Sequence, residues 1–330
     1  MSYARTLAAQ APTADRRLLS NWLFLVAALV VAMVFIGGLT RLTESGLSMV
    51  EWKPVTGWLP PLSEAAWQAE FDKYRQFPEY QKINRGMSLA EFKGIFWLEY
   101  WHRVLGRVLG LVFAVPLAVF LVLRKIERPY IAPLVAALVL GGLQGAIGWF
   151  MVQSGLVDRP SVSHYRLAMH LGLALLLYVY LLHLALDLRG VARAPSGGRL
   201  WPRLVLLLVF GQILLGAFVA GLDAGFVYNT WPLMDGALVP SHLFADPVAR
   251  VQFEHRMGAY VVTLAVLALW WRDRQMVGSV LLPLFLVLQM VIGIATLLTV
   301  TPIWLASLHQ LGAVALLTAT YLHVRRVGAL

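Results

Sequence analysis

The chain of 330 residues contains no cysteine. That absence excludes disulfides, thiolate zinc sites, iron–sulfur clusters and thiol catalysis. It leaves any metal chemistry to eight histidines and a few carboxylates. Charge is scarce too: Asp, Glu, Lys and Arg make up 13% of the residues against 59% hydrophobic, and the mean hydropathy is +0.72. No soluble domain of this size buries so much apolar surface, so the composition implies a polytopic membrane protein. A small-residue cleavage pattern is also missing from the opening stretch, "MSYARTLAAQAPTADRRLLS". The first apolar run, 21–39, therefore reads as an anchor that stays in the membrane.

Eight apolar segments are long enough to cross ~30 Å of hydrocarbon as helices, the only open-chain structure that lipid tolerates. They lie at roughly 21–39, 102–123, 131–151, 167–187, 202–221, 256–271, 279–299 and 303–323, and the sixth is short enough that it could start earlier. Basic residues set the orientation. Arg5, Arg16 and Arg17, then Arg124, Lys125 and Arg128, then Arg189, Arg193, Arg199 and Arg203, then Arg272 and Arg274, then Arg325 and Arg326 all fall on one side if both termini are cytoplasmic. The opposite short loops are poor in Lys and Arg, holding Asp158 and Arg159, or Asp223, Asp235 and Asp246. Much of the formal charge of +10 is thus a topology signal, and no nucleic acid is expected as a partner. The expected fold class is an all-α polytopic membrane protein with eight transmembrane helices. In the long outer segment, 40–98, Ser63 starts a helix with Trp67, Phe71 and Tyr74 on one face, read as amphipathic and lying on the outer surface. "SLAE" at 88–91 fits a capping box whose helix could run on into the second span.

The two halves of the chain echo each other. His102-Arg103 opens the second span and His255-Arg256 the sixth. The fourth carries His170 in "MHLGLALL" and the eighth His309 in "LHQLGAVALL". Gln144 and Gly148 recur as Gln289 and Gly293. These registers imply a duplicated four-helix unit in parallel orientation: an N-terminal half, 1–195, and a C-terminal half, 196–330. At ~1.5 Å rise per residue, the four histidines lie roughly 24–33 Å before the basic cytoplasmic helix ends, toward the outer side of the membrane.

An ionisable side chain inside a bilayer is a functional hypothesis by default. Two histidines per half, from helices that can face each other, suit axial coordination of haem iron. Zinc wants three or four ligands, and no cysteine is present to complete a set. Gly141, Gly142, Gly145 and Gly148 leave room for a flat macrocycle, although glycines at such spacing also serve plain helix packing. Arg103, Arg107, Arg166 and Arg256 lie near the outer boundary as candidates to pair with propionates, or simply to snorkel. His183 and His323 recur near the cytoplasmic ends and read as interfacial residues or edge contacts.

One position breaks the echo. Glu99 lies three residues before His102 on the same helix face, whereas Gln252 lies three residues before His255. A carboxylate beside one pocket only can act as a proton acceptor there, or merely mark the water boundary. The contrast suggests that one half performs chemistry while the other keeps a permanent haem.

The stretches "GGLTRLTESGLSMVEWKPVTGWLPP", "EYWHRVLGR", "GWFMVQSGL", "NTWPLMDG" and "EHRMGAY" together resemble the heme A synthase family, in its proteobacterial and mitochondrial branch, over nearly the whole chain. The resemblance implies eight helices in two pseudo-symmetric four-helix bundles, and oxidation of the C8 methyl of heme O to the formyl of heme A. It implies that His102 and His170 are the ligands of a substrate-haem pocket, that Glu99 is the acidic residue required for activity, and that His255 and His309 are axial ligands of haem b. It further implies a bacterial inner membrane location with haem sites toward the periplasm. Heme O synthase, cytochrome oxidase assembly proteins, an unidentified electron acceptor and a second copy of the chain are the candidate partners. A cysteine pair found in an outer loop of some bacterial members has no counterpart here. Two rivals stay open at this point: a di-haem electron carrier of the cytochrome b type without a substrate, and a transporter.

Overall fold

The computed structural model describes residues 13–53, 56–157, 159–191 and 200–327. Arg5, Asp158, Arg193 and Arg199, and the boundary expected at 195, lie outside the described residues. Among the described residues there are ten α-helices and no strand: α1 (Ala14–Leu42), α2 (Glu64–Tyr74), α3 (Pro78–Lys82), α4 (Leu89–Val122), α5 (Arg128–Gln153), α6 (His164–Leu188), α7 (Leu200–Gly221), α8 (Pro247–Asp273), α9 (Leu281–Leu298) and α10 (Ile303–Arg326). Seven of these, α1, α4, α5, α6, α7, α9 and α10, are long and apolar enough to cross a membrane. Helix α8, at 27 residues, falls outside that group. Glu254, His255 and Arg256 near its start, with Arg272 and Asp273 at its end, confine its uncharged stretch to 257–271.

The helices close into two rings. α1 packs on α4, α4 on α5, α5 on α6 and α6 back on α1; α7, α8, α9 and α10 close in the same cyclic order. α4 and α6 thus occupy opposite corners of one ring, and α8 and α10 opposite corners of the other. The rings meet through α6 against α7, α1 against α10 and α6 against α10.

Large apolar side chains fill one end of this assembly. Leu19 and Leu23 of α1, Leu181 and Leu188 of α6, Leu269 of α8 and Leu317 of α10 are almost fully buried in one continuous cluster. Polar groups caught in it are satisfied locally, as low dielectric requires: Ser20 Oγ donates to the Ala185 carbonyl at 2.8 Å and Trp22 Nε1 to the Val112 carbonyl at 2.8 Å. Ion pairs cap the same end, with Arg16 to Glu127 at 2.6 Å, Lys125 to Asp15 at 3.5 Å and Arg325 to Asp187 at 2.8 Å. Arg16, Lys125 and Arg325, among the basic residues that the sequence assigns to one side, therefore gather at one end of the molecule.

Beyond the opposite end stands a second core. α4 has 34 residues, so at ~1.5 Å per residue it is about 51 Å long and overshoots a ~30 Å hydrocarbon layer. Its start is the expected capping box, with Ser88 Oγ accepting from the Glu91 N–H and the Glu91 carboxylate accepting from the Ser88 N–H. The overshoot carries Phe92, Phe96 and Tyr100, which pack on Trp67, Phe71 and Tyr74 of α2. The apolar face of α2 is therefore buried against α4, not laid on lipid. Ring centroids 5.0 Å apart for Phe71 and Phe92, and 4.9 Å for Trp67 and Phe96, define that contact.

Phe92 is fully buried at the centre of this outer cluster. Phe92→Ala is expected to destabilise the outer segment by about 3–5 kcal/mol, read as faster proteolytic cleavage and hydrogen exchange within 64–100 while the membrane helices stay protected.

Candidate functional site

Away from the leucine-filled end, the interior of both rings is lined by histidine, glutamine and glycine. His102 on α4 and His170 on α6 come from opposite corners of the first ring, and His255 on α8 and His309 on α10 from opposite corners of the second. Each imidazole presses on bare backbone of the preceding membrane helix. A Cβ added at Gly37 of α1 would lie 3.1 Å from His102 Cε1, and one at Gly148 of α5 would lie 2.8 Å from His170 Cε1. The same contact recurs at 3.2 Å for Gly216 of α7 with His255, and at 2.6 Å for Gly293 of α9 with His309. Of these, Gly148 and Gly293 were legible as a registered pair. Gly37 and Gly216 were visible only as parts of glycine-rich helix ends.

Glutamines hold three of the rings. Gln144 Nε2 lies 3.1 Å from His170 Nδ1 and donates to the His170 carbonyl at 2.9 Å. Gln212 Nε2 lies 3.0 Å from His255 Nδ1 and donates to the His255 carbonyl at 2.8 Å. Gln289 Nε2 is 3.4 Å from His309 Nε2. Gln212 escaped the sequence reading because its counterpart four residues before Gly37 is Met33, so no repeat marked it. His102 Nδ1 and His309 Nδ1 are buried without a hydrogen-bond partner, as are the amide oxygens of Gln144, Gln212 and Gln289.

These features fit a metal-bearing ring between the imidazoles. Two imidazoles on opposite sides of one metal ion, each nitrogen about 2.0–2.1 Å away, have ring centroids about 6.3 Å apart. The His255 and His309 centroids are 6.4 Å apart, with the planes at 82°. An axial pair can take any interplanar angle, since both planes contain the metal–nitrogen axis. The orphaned nitrogens are coordination-competent, and a half-turn of a glutamine amide would present its oxygen to an Nδ1–H, the tautomer that frees Nε2. Among the described residues no three His, Asp or Glu side chains cluster as a metal would need without a macrocycle.

The flanking arginines have a definite occupation. Arg103 donates to both Glu99 Oε1, at 3.0 and 2.5 Å, and the carbonyls of Met49, at 2.6 Å, and Glu51, at 2.8 Å. Arg256 donates to the Thr230 carbonyl at 2.8 Å and to that of Tyr228. Each arginine thus straps the outer loop that follows the first helix of its ring onto the second. Glu99 and Gln252 share that task. Glu99 is buried, its Oε2 accepting from Ser48 Oγ at 2.7 Å and the Met49 N–H at 2.8 Å. Gln252 donates to the carbonyls of Ala224, at 2.8 Å, and Val227. Arg107 donates to the Lys53 carbonyl at 2.8 Å and borders, with Arg103, a cavity of about 190 Å³. Arg166 lies 3.6 Å from the Phe150 ring centroid and donates to the Phe150 carbonyl, on the rim of a separate hollow.

His183 and His323 lie at the other end of the molecule. His183 Nδ1 is 2.9 Å from the Tyr321 hydroxyl, and the buried His323 is 2.8 Å from Asp273. They belong to the ionic end, not to the histidine pairs. Glu254 turns to Arg250 at 2.8 Å, as its position beside His255 implies.

A family model described as cytochrome oxidase assembly protein, COX15-CtaA, matches residues 20–321. A heme A synthase of Paramagnetospirillum magneticum is 48% identical over 318 residues, covering 90% of each chain. One of Parvibaculum lavamentivorans is 48% identical over 335 residues, covering 95% of each. One of Rhodospirillum centenum is 49% identical over 329 residues, covering 93% of this chain and 87% of its own.

If Arg256 is a strap, its removal frees the loop. Arg256→Ala leaves carbonyls of the 228–233 stretch without donors, a loss of about 1–3 kcal/mol. Hydrogen exchange in 224–234 is expected to rise well above that in α8, and unchanged exchange in that loop would refute the strapping role.

Proposed function

The chain belongs to the COX15-CtaA family of cytochrome oxidase assembly proteins, and from that premise we propose that it is a heme A synthase, a membrane oxidoreductase that converts heme O to heme A. Family membership supplies the reaction, and the 6.4 Å spacing of His255 and His309 is the observation that supports a haem between paired imidazoles in this chain. Seven helices that qualify as spans make it a multi-pass membrane protein. With α8 as an eighth, both termini lie on the cytoplasmic side of a bacterial inner membrane. The histidine pairs then lie toward the periplasm.

The first ring, within 1–195, is the substrate half. His102 and His170 would hold the iron of heme O, with Gly37 and Gly148 leaving room for the imidazoles. Converting the C8 methyl to a formyl removes four electrons and takes one oxygen atom from outside the substrate. Protons leave with those electrons, and Glu99 takes them. Arg103, Ser48 and the Met49 N–H hold the Glu99 carboxylate in place, so that a released proton meets an oriented acceptor. Arg103, Arg107, Arg166 and Arg256 are within reach of the outer boundary, where they can also face propionates.

In the second ring, within 196–330, His255 and His309 would hold haem b. When bound, haem b supplies one-electron transfer. Gln252 stands where the first ring has Glu99, so this ring straps its loop without offering a proton acceptor. That difference favours the enzyme over a carrier with two equivalent haems.

Glu99→Gln is expected to keep bound haem and a near-normal optical spectrum while abolishing formyl production. Heme A at the wild-type level, measured by chromatography of extracted pigments, would remove Glu99 from the chemistry. His255→Ala and His309→Ala are each expected to lower co-purified haem b. Full haem b content in both variants counts against the second-ring assignment.

A further inference from the structure

The two rings meet along α1 and α10, and a polar side chain crosses that seam beside the histidines. Gln310 follows His309 on α10. Its Nε2 donates to the Val34 carbonyl of α1 at 2.9 Å. One turn further along α1, a Cβ added at Gly38 would lie 1.8 Å from Gln310 Oε1, the closest approach at any described glycine. The preceding residue, Gly37, is the seat of His102, with an added Cβ 3.1 Å from His102 Cε1. A short chain of neighbours therefore joins the pockets: His309 and Gln310 on α10, Gly38 and Gly37 on α1, then His102 on α4.

An amide is costly in the apolar interior of a bundle unless it is hydrogen-bonded. Packing alone does not call for one here. The repeat places Leu171 after His170, where Gln310 follows His309. The seam between α6 and α7 is apolar close to its own histidine: a Cβ added at Gly172 would lie 3.1 Å from Leu214 and 3.7 Å from Phe210. Nor does α1 need the bond. Helical geometry already gives the Val34 carbonyl the Gly38 N–H, and Gln310 takes its second lone pair. Other ties keep the rings docked. The Tyr178 and Thr318 hydroxyls are 2.9 Å apart between α6 and α10, and Arg41 at the end of α1 bonds Asp223 after α7 at 2.8 Å. What Gln310 adds is a fixed placement beside the histidines.

We propose that Gln310 is a positioning residue that fixes the first pocket against the second, holding His102 and His309 at one separation across the α1–α10 seam. The proposal rests on the two-haem reading above. The oxidation assigned there sheds electrons, and haem b supplies one-electron transfer. Electron exchange falls steeply with distance, so the separation of the pockets sets how fast the first can be relieved of electrons. Bare backbone at Gly37 and Gly38 lets an imidazole and Gln310 both close on α1. The bond to Val34 then stops α1 and α10 from sliding past each other.

The test uses purified full-length protein with haem in both rings. In the wild type, low-temperature electron paramagnetic resonance is expected to show each ferric signal relaxing faster when the other haem is also ferric. Gln310→Leu and Gly38→Ala should each weaken that interaction while haem content, optical spectra and both midpoint potentials stay unchanged. A general loosening of the bundle would move all of these. In a stopped-flow single turnover with heme O, haem b reduction should slow about tenfold in each variant. Both variants break one contact, so the double variant should also slow about tenfold and not about a hundredfold. Wild-type relaxation and reduction rates in Gln310→Leu overturn the proposal, and so does a double variant whose losses multiply. Loss of haem from Gln310→Leu makes the residue a purely structural one and overturns it too. Should Gly38→Ala fail to fold, Gln310→Leu alone decides. A wild-type protein that binds no second haem overturns the two-haem reading, whereas two haems with unaltered variants overturn the positioning role alone.

Discussion

Four half-buried histidines line the interior of a helical bundle, and each can be there because the preceding membrane helix has no side chain at the point of contact. A Cβ at Gly148 or Gly293 would lie 2.8 or 2.6 Å from an imidazole carbon, inside van der Waals contact. The ring would have to leave, and with it the alignment of opposite corners. Glutamine amides then fix rotation about the ring for three of the four. Desolvated nitrogens left without protein partners are tolerable only where something else meets them.

That arrangement divides the labour along the length of each helix. Leucine-rich packing and ion pairs hold one end rigid, where α1, α6 and α10 converge. At the other end side-chain volume is withdrawn, and straps hold the outer loops: Arg103 with Glu99, and Arg256 with Gln252, each tying a loop onto the second helix of its ring. The same arginines were expected to face propionates. Their hydrogen bonds to loop carbonyls give them a structural task, whether or not a propionate is also met.

The two rings differ where chemistry would require it. A carboxylate strap in the first becomes an amide strap in the second, and Met33 stands where the second has Gln212. His102 is therefore the histidine without a glutamine at its ring, and its Nδ1 is unpartnered. The first ring also carries the long outer segment with its own aromatic core.

The seven long apolar helices, the helix starts at Ser63 and Ser88, and the repeat of His, Gln and Gly were readable from the chain because each is written in local spacing: apolar run length, capping residues, and residues in register. The Glu99 and Gln252 contrast was readable for the same reason. What tertiary structure alone decided are contacts between residues far apart in sequence. These are the seating of His102 on Gly37 and His255 on Gly216, the docking of α2 on α4 instead of on lipid, and the strapping role of Arg103 and Arg256. None of these leaves a periodic trace, because a contact across helices depends on their relative rotation and depth, and one-dimensional spacing carries information about neither.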